Sequence, residues 1–299
     1  MPPDFAPAGH TIQAAGGRRL EVLTSGPQDG LPLVFHNGTP GGLVAFAPMI
    51  AAAAERGLRL VMYARPGYGA STPQPGRRVA DAAADVSAVL DDLGAADFVT
   101  AGWSGGGPHA LACAAMLAGR CRGAATIAGV APVQADGLDW LAGLGEENVE
   151  EFAAAAGGEA ELTEYLTRAA AVLRGITADP VAQGLGDLVG DADKAAITGE
   201  FASYLADSFT AALTPGIEGW RDDDLAFTRE WGFPLGAPVP VAIWQGDQDR
   251  MVPFGHGQWL AAHVPGATAH LIPGAGHLSL AVDQFGLILD DLLSAARVR

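Results

Sequence analysis

The sequence predicts an α/β fold: a mostly parallel, doubly wound sheet with an all-helical segment inserted between two of its strands. Three observations carry this. Short apolar runs closed by glycine or proline clusters alternate with runs of helical period, as βαβ units require. Between about residues 133 and 233 the alternation stops and only helical patterns occur. Charge divides at the same place: Asp136 to Glu230 holds 20 of the 34 acidic residues and 5 of the 17 basic ones. The expected organisation is therefore a core in two pieces, 1–132 and 234–299, around a helical insertion at 133–233.

The runs 31–37 (LPLVFHN) and 58–64 (LRLVMYA) read as buried parallel strands, with an Ala-rich helix over 43–56 between them. A helix is expected over 80–94, where Ala84, Val86, Val89, Leu90 and Leu93 share a face and Gly94 suits a C-cap. A strand at 96–102, a helix at 108–117 and a strand at 123–132 follow. The insertion carries helical patterns at 146–158, 159–175 and 195–216. After it come a strand at 239–246, a helix at 255–263, a strand at 267–273 and an amphipathic helix over 278–298.

The 299 residues can bury a large core, and no apolar run approaches the roughly 20 residues of a membrane-spanning helix. The N-terminal stretch MPPDFAPAGHTIQ has neither a basic n-region nor an apolar h-region, so no signal peptide and a cytoplasmic location are expected. A net charge of −17 argues against a nucleic-acid partner, whose phosphates need a basic footprint. Cys113 and Cys121 form neither a disulfide framework nor a metal-ligand spacing, and Cys113 reads as a small buried hydrophobe. No metal or cofactor is expected, and the sequence assigns no oligomeric state.

In parallel sheets, chemistry sits where strands end. The stretch GWSGG, 102–106, joins the strand at 96–102 to the following helix. Gly102-x-Ser104-x-Gly106 fits a nucleophile elbow, in which strand and helix approach too closely for larger residues on either side of the serine. Composition alone yields such a pattern about 0.15 times in this chain, so its strand–turn–helix setting carries the assignment. The alternative is an ordinary serine N-cap. A serine hydroxyl needs a base, and the base an orienting group.

Two later strand ends supply both. In the order Ser…Asp…His they give Ser104, Asp249 and His277, with Asp247 the rival acid; Asp249 is preferred for its place in Gly246-x-x-Asp249-x-x-Val252-Pro253. His277 follows a Gly-Ala-Gly turn and opens a helix, whereas His109, His256, His263 and His270 sit at helix or strand positions typical of surface or core histidines. The turn Asn37-Gly38-Thr39-Pro40-Gly41-Gly42 offers the Thr39 amide as a partner to that of Gly105 in an oxyanion hole. It lacks the lysine and spacing of a phosphate loop.

Taken together, HNGTPGG, YARPGYGAS, GWSGGGPHAL, QGDQDRMVP and GAGHLSL resemble, in collinear order, the α/β-hydrolase fold family. The resemblance covers about 1–132 and 234–299; the middle segment matches only as a generic helical cap. It implies Ser104 as nucleophile, His277 as base, Asp249 as its orienting acid, and Thr39 and Gly105 as oxyanion amides. Two positions depart from the family pattern. The usual His-Gly before the oxyanion residue is Asn37-Gly38, with His36 one place earlier, and the acid that opens D-x-P-G-x-G-x-S is Ala64.

Serine at the elbow points to acyl transfer on a small carboxylic ester. A lactonase, a carbon–carbon hydrolase or a cofactor-free perhydrolase with the same triad are the alternatives. A non-catalytic receptor or interaction domain would be marked by a lost triad member, and none is lost. The acidic insertion favours a neutral or cationic ester as the small-molecule substrate, although solvated helix faces give the same composition. Trp140, Leu141, Phe201, Tyr204, Leu205 and Phe209 are candidates either for an acyl pocket or for the insertion's own core.

Overall fold

A computed structural model describes residues 5–178 and 181–297 of the chain. The outer ends of the two predicted core pieces, and Val298 at the end of the predicted closing helix, lie outside the described residues. Eight strands form one sheet: β1 Ala8–Gln13, β2 Arg19–Ser25, β3 Leu31–His36, β4 Leu58–Tyr63, β5 Phe98–Trp103, β6 Cys121–Ile127, β7 Val241–Gly246 and β8 Thr268–Ile272. Their order is β1-β2-β4-β3-β5-β6-β7-β8. The pairings β1–β2 and β2–β4 are antiparallel and all others parallel.

The core helices are α1 Ala47–Ala54, α2 Ala82–Asp92 and α3 Gly107–Met116. Between β6 and β7 stand α4 Glu146–Gly157, α5 Glu159–Leu173, α6 Val181–Gly184, α7 Asp191–Ala196, α8 Gly199–Leu213 and α9 Glu218–Phe227. The chain closes with α10 Phe254–His263, α11 His277–Asp283 and α12 Phe285–Arg297.

Period-two alternation along the strands feeds two cores. Leu33, Phe35, Leu60 and Met62 face one apolar cluster, shared with α1 and α12; Val34, Val61 and Tyr63 face another, shared with α2 and α3. Helices cover both faces of the parallel part, which is why those strands read as continuous apolar runs. β1 and β2 escape that signal. Only Ile12 is buried in β1, and β2 alternates, as antiparallel strands with a wet face do.

Three other expectations change. The strand predicted to reach residue 132 ends at Ile127, because Ala128 takes φ 50°, a left-handed conformation that no strand continues through. The predicted closing helix is two helices, broken at Gln284 (φ −102°, ψ −2°), two residues before the poor helix former Gly286. The insertion holds three further helices, α6, α7 and α9, the last with the polar run Asp222-Asp223-Asp224 in its middle. No described helix is long and apolar enough to cross a membrane.

Candidate active site

The turn after β5 is strained in the way a nucleophile elbow demands. Ser104 has φ 56°, a left-handed conformation costing a non-glycine residue roughly 1–2 kcal/mol. It opens the tight turn Ser104–Gly106 that leads directly into α3. A Cβ on Gly102 would strike the carbonyl of Gly106, and one on Gly106 the carbonyl of His36 at the end of β3. These glycines let three backbone segments meet, and the hydroxyl-bearing residue is lifted between them.

The loop after β3 lies against this turn. A Cβ on Gly105 would stand 2.5 Å from Thr39 Oγ1, and one on Gly38 would stand 3.9 Å from Ser104 Oγ. Thr39 and Gly105, the candidate oxyanion residues, are therefore neighbours beside Ser104. Arg65 pins the loop: its guanidinium donates to the carbonyls of Asn37 (2.6 Å) and Gly38 (2.9 Å) and to Thr39 Oγ1 (2.9 Å). Asn37 Nδ2 adds a bond to Gly42 O at 2.9 Å.

Behind Arg65 stands Asp223 of α9, fully buried. It accepts from Arg65 and Arg77 at 2.6 Å each, from Thr39 Oγ1 at 2.9 Å and from Tyr68 at 3.0 Å. Burial opposes its charge, but the two guanidiniums win and hold its carboxyl below the usual carboxylate range. His109 completes the backing: its Nδ1 lies 2.8 Å from Gly105 O, and its Nε2 lies 3.8 Å from Asp223. Burial, then the Arg65 charge, lower the His109 pKa to about 3, so the ring is neutral there and Nδ1 is the protonated donor.

At the start of α11, His277 Nδ1 lies 2.9 Å from Asp249 Oδ2. Asp249 is fixed in turn by the amides of Met251 (2.9 Å) and Val252 (2.8 Å) and by Gln245 Nε2 (2.9 Å). Asp247 does other work: its exposed carboxylate accepts from the Gly274 amide at 2.7 Å and from Gln248. Burial disfavours the charged ring of His277, but the adjacent Asp249 carboxylate, with Asp193 adding to it, leaves its pKa raised. Trp103 Nε1 donates to the His277 carbonyl at 3.3 Å.

The other histidines are engaged elsewhere. His256 accepts from the Ala131 amide and donates to Trp140 O; His263 bonds Trp259 O; His270 pairs with Asp291.

Thr39, Ser104, Gly105 and His277 border one cavity of about 430 Å³. The insertion supplies much of its remaining wall. Trp140, Tyr204, Leu205 and Phe209 line it, whereas Leu141 is exposed and Phe201 packs against Phe46 with ring centroids 5.6 Å apart. The wall is also acidic, carrying Glu147, Glu150, Glu151 and Asp224 against Arg168 alone. Among the described residues, no group of three or more His, Cys, Asp or Glu is placed to hold a metal ion.

Glu151 and Asp224 form a buried carboxyl pair, with Trp220 Nε1 donating to Glu151 at 2.7 Å. Burial pushes the Glu151 pKa up to about 7, and burial together with the Glu151 charge pushes that of Asp224 well up, so the pair retains a proton at neutral pH. Both acids are raised on folding. Their stabilising contribution is present below the ordinary carboxylate range and is lost as pH rises through about 7. The melting temperature is therefore expected to fall between pH 6 and 8 by roughly 2–4 °C, and Glu151→Gln to flatten that fall. Thermal melts of the two proteins across this range are the check.

The sequence missed Asp193, Glu151, Asp223 and Asp224. Acidic residues in an acidic helical segment read as solvated faces, and what distinguishes these four is burial against partners distant in the chain. Arg65, within YARPGYGAS, leaves a usable sequence signal, an arginine beside a Pro-Gly turn.

The profile of the alpha/beta hydrolase fold matches residues 32–284. A non-heme chloroperoxidase of Streptomyces lividans is 33% identical over 147 residues, which cover 48% of this chain and only about half, 53%, of that protein. A non-heme haloperoxidase of Rhodococcus erythropolis is 28% identical over 258 residues, covering 83% of this chain and 86% of the other. Among solved structures, the enol-lactonase of Burkholderia xenovorans LB400 superposes with a TM-score of 0.67 at 22% identity, over 96% of this chain and 100% of that one. With a profile match over most of its length and a mostly parallel eight-stranded sheet, the chain belongs to the α/β-hydrolase fold family.

Proposed function

We propose that the protein is a serine hydrolase that cleaves a small carboxylic ester through an acyl-enzyme on Ser104. The observation that carries this reading is that His277, paired with the buried Asp249, borders the same cavity as the strained Ser104 and its Thr39–Gly105 neighbours. Ser104 Oγ attacks the ester carbonyl while His277 Nε2 takes its proton. Asp249, on Nδ1, keeps the ring in the tautomer whose Nε2 lone pair faces the serine. The Thr39 and Gly105 amides receive the tetrahedral oxyanion, an arrangement worth about 2.7–4 kcal/mol per donor. His277 then returns the proton to the departing alcohol, and water, deprotonated by the same ring, releases the acid.

The helices between β6 and β7 act as a cap over the site. Their aromatic and aliphatic side chains receive the body of the substrate, and the acidic wall favours a neutral or cationic ester over an anionic one.

The test uses a fluorophosphonate, which bonds covalently to an activated serine, and a short p-nitrophenyl ester. Wild type is expected to be labelled at one site and to release p-nitrophenol, and Ser104→Ala to do neither. Equal labelling of the two proteins would overturn the reading.

The similarity to a non-heme chloroperoxidase and a non-heme haloperoxidase favours a second reading, perhydrolysis by the same acyl-enzyme. Hydrogen peroxide would replace water in the second half-reaction, giving a peracid and free Ser104. Peracid formation from acetate ester and peroxide, measured by bromide oxidation, separates the two.

A further inference from the structure

The helix that opens with His277 has no cap of its own. The first turn of an α-helix leaves amides without partners, and the residue before it normally supplies a side-chain oxygen. Here that residue is Gly276, which has none. The oxygen comes instead from Asp193 on α7, in the inserted segment 84 residues earlier. Asp193 Oδ2 accepts from the His277 amide at 3.0 Å. Its Oδ1 accepts from the amides of Leu278 and Ser279, each at 2.9 Å, and from Ser279 Oγ at 3.1 Å. The Gly276 amide donates to Ser279 Oγ at 2.8 Å, so four successive amides are tied to one carboxylate directly or through one hydroxyl.

The site is closely fitted. Asp193 is fully buried, and a Cβ on Gly276 would strike its carboxylate. The anion also stands where the positive end of α11 favours it. On its far side the same backbone is held by Trp103 from the elbow strand. The ring of His277 is thus located by its own backbone between an element of the insertion and the strand bearing the nucleophile.

We propose that Asp193 is a positioning residue for His277: the inserted helical segment, by clamping the start of α11, sets the place of the base, so that the base is assembled only while that segment is docked. This rests on the acyl-transfer reading above for what His277 does, but not for where it is held.

Asp193→Asn keeps the shape but turns one acceptor into a donor facing an amide, and it removes the charge near the ring. With p-nitrophenyl acetate, kcat is expected to fall about 10- to 100-fold, as for a misplaced catalytic group, with KM within about twofold. The acid limb of kcat/KM should move to lower pH, because the anion that helps raise the His277 pKa is gone. Ser279→Ala, which removes one of four donors but leaves the anion, should lower kcat by less and leave the acid limb in place, and serves if Asp193→Asn does not fold.

A folded Asp193→Asn protein with wild-type kcat and acid limb would overturn the proposal, as would a loss confined to KM. So would rates that return to wild type once normalised to the fraction of enzyme titrated by fluorophosphonate, since that is the mark of a merely structural role. Titration of the His277 ring by NMR in a Ser104→Ala background needs no turnover. A downward shift there with Asp193→Asn supports the clamp even if no ester is hydrolysed, and an unchanged ring titration removes it even if ester hydrolysis is sound.

Discussion

Removal of the Ser104 hydroxyl is expected to lower ester turnover by about 10⁶, and Asp249→Asn by about 10⁴, while Asp247→Asn stays within about twofold of wild type. The order follows from what each group touches. Without Ser104 no acyl-enzyme forms, and only the oxyanion donors and the cavity remain. Asparagine at 249 would still reach His277 but can present an N–H to Nδ1, which then accepts, placing the ring proton on Nε2 where the serine proton must go. Among the described residues, the Asp247 carboxylate accepts from the Gly274 amide in the turn after β8 and from Gln248. Steady-state hydrolysis of p-nitrophenyl acetate by the three variants decides the point, and a crippled Asp247→Asn beside an active Asp249→Asn would reverse the assignment of the acid.

The pH profile of wild type adds a second reading of the same pair. In the proposed mechanism His277 must be neutral to accept the serine proton, so activity is expected to fall as pH drops through its pKa. That pKa is raised by the neighbouring carboxylate despite burial, which puts the acid limb above the ordinary histidine value of about 6.5.

The parallel sheet was legible because both its faces are covered, which writes each strand as a run of apolar residues between turns. β1 and β2 were not, because antiparallel strands with a wet face carry only half that signal. The candidate site divides along a similar line. Ser104, Thr39, Asp249 and His277 each stand at a strand end with small residues forced around them, and steric need leaves a local trace. Gly102 and Gly106 are the clearest, since a Cβ at either would meet backbone. The carboxylates that hold the site have no such trace. Asp193 caps a helix 84 residues away, and Asp223, the middle of three consecutive aspartates, has partners on the loops after β3 and β4. The departure at Ala64 finds its physical account here too. The loop that follows is held by Arg65 against Asp223 and by Glu21, which accepts from the Ala70 amide at 2.7 Å.

That arrangement makes Asp223 the position where one substitution should cost the fold most. Asp223→Ala would leave two buried guanidiniums, Arg65 and Arg77, without their common anion, and breaking a buried pair in this way typically costs about 3–5 kcal/mol. Each arginine keeps one contact class, Arg65 to the carbonyls of Asn37 and Gly38 and Arg77 to that of Gly219, so neither is stranded entirely. The loss should be read by denaturant unfolding, as a lower midpoint with an unchanged slope.

Its pH dependence carries a sign. The folded pKa of Asp223 is depressed, so its contribution is present above the unfolded value of about 3.9 and fades only as pH falls below that. Wild type and Asp223→Ala should therefore differ fully at pH 7 and converge in acid. Activity should fall as well, because Thr39 loses a partner of its hydroxyl and Arg65 its anchor, loosening the loop that carries one proposed oxyanion amide. A variant as stable as wild type at pH 7 would mean that the two arginines find other anions, and the inserted helix α9 would then have no hold on the loop after β3.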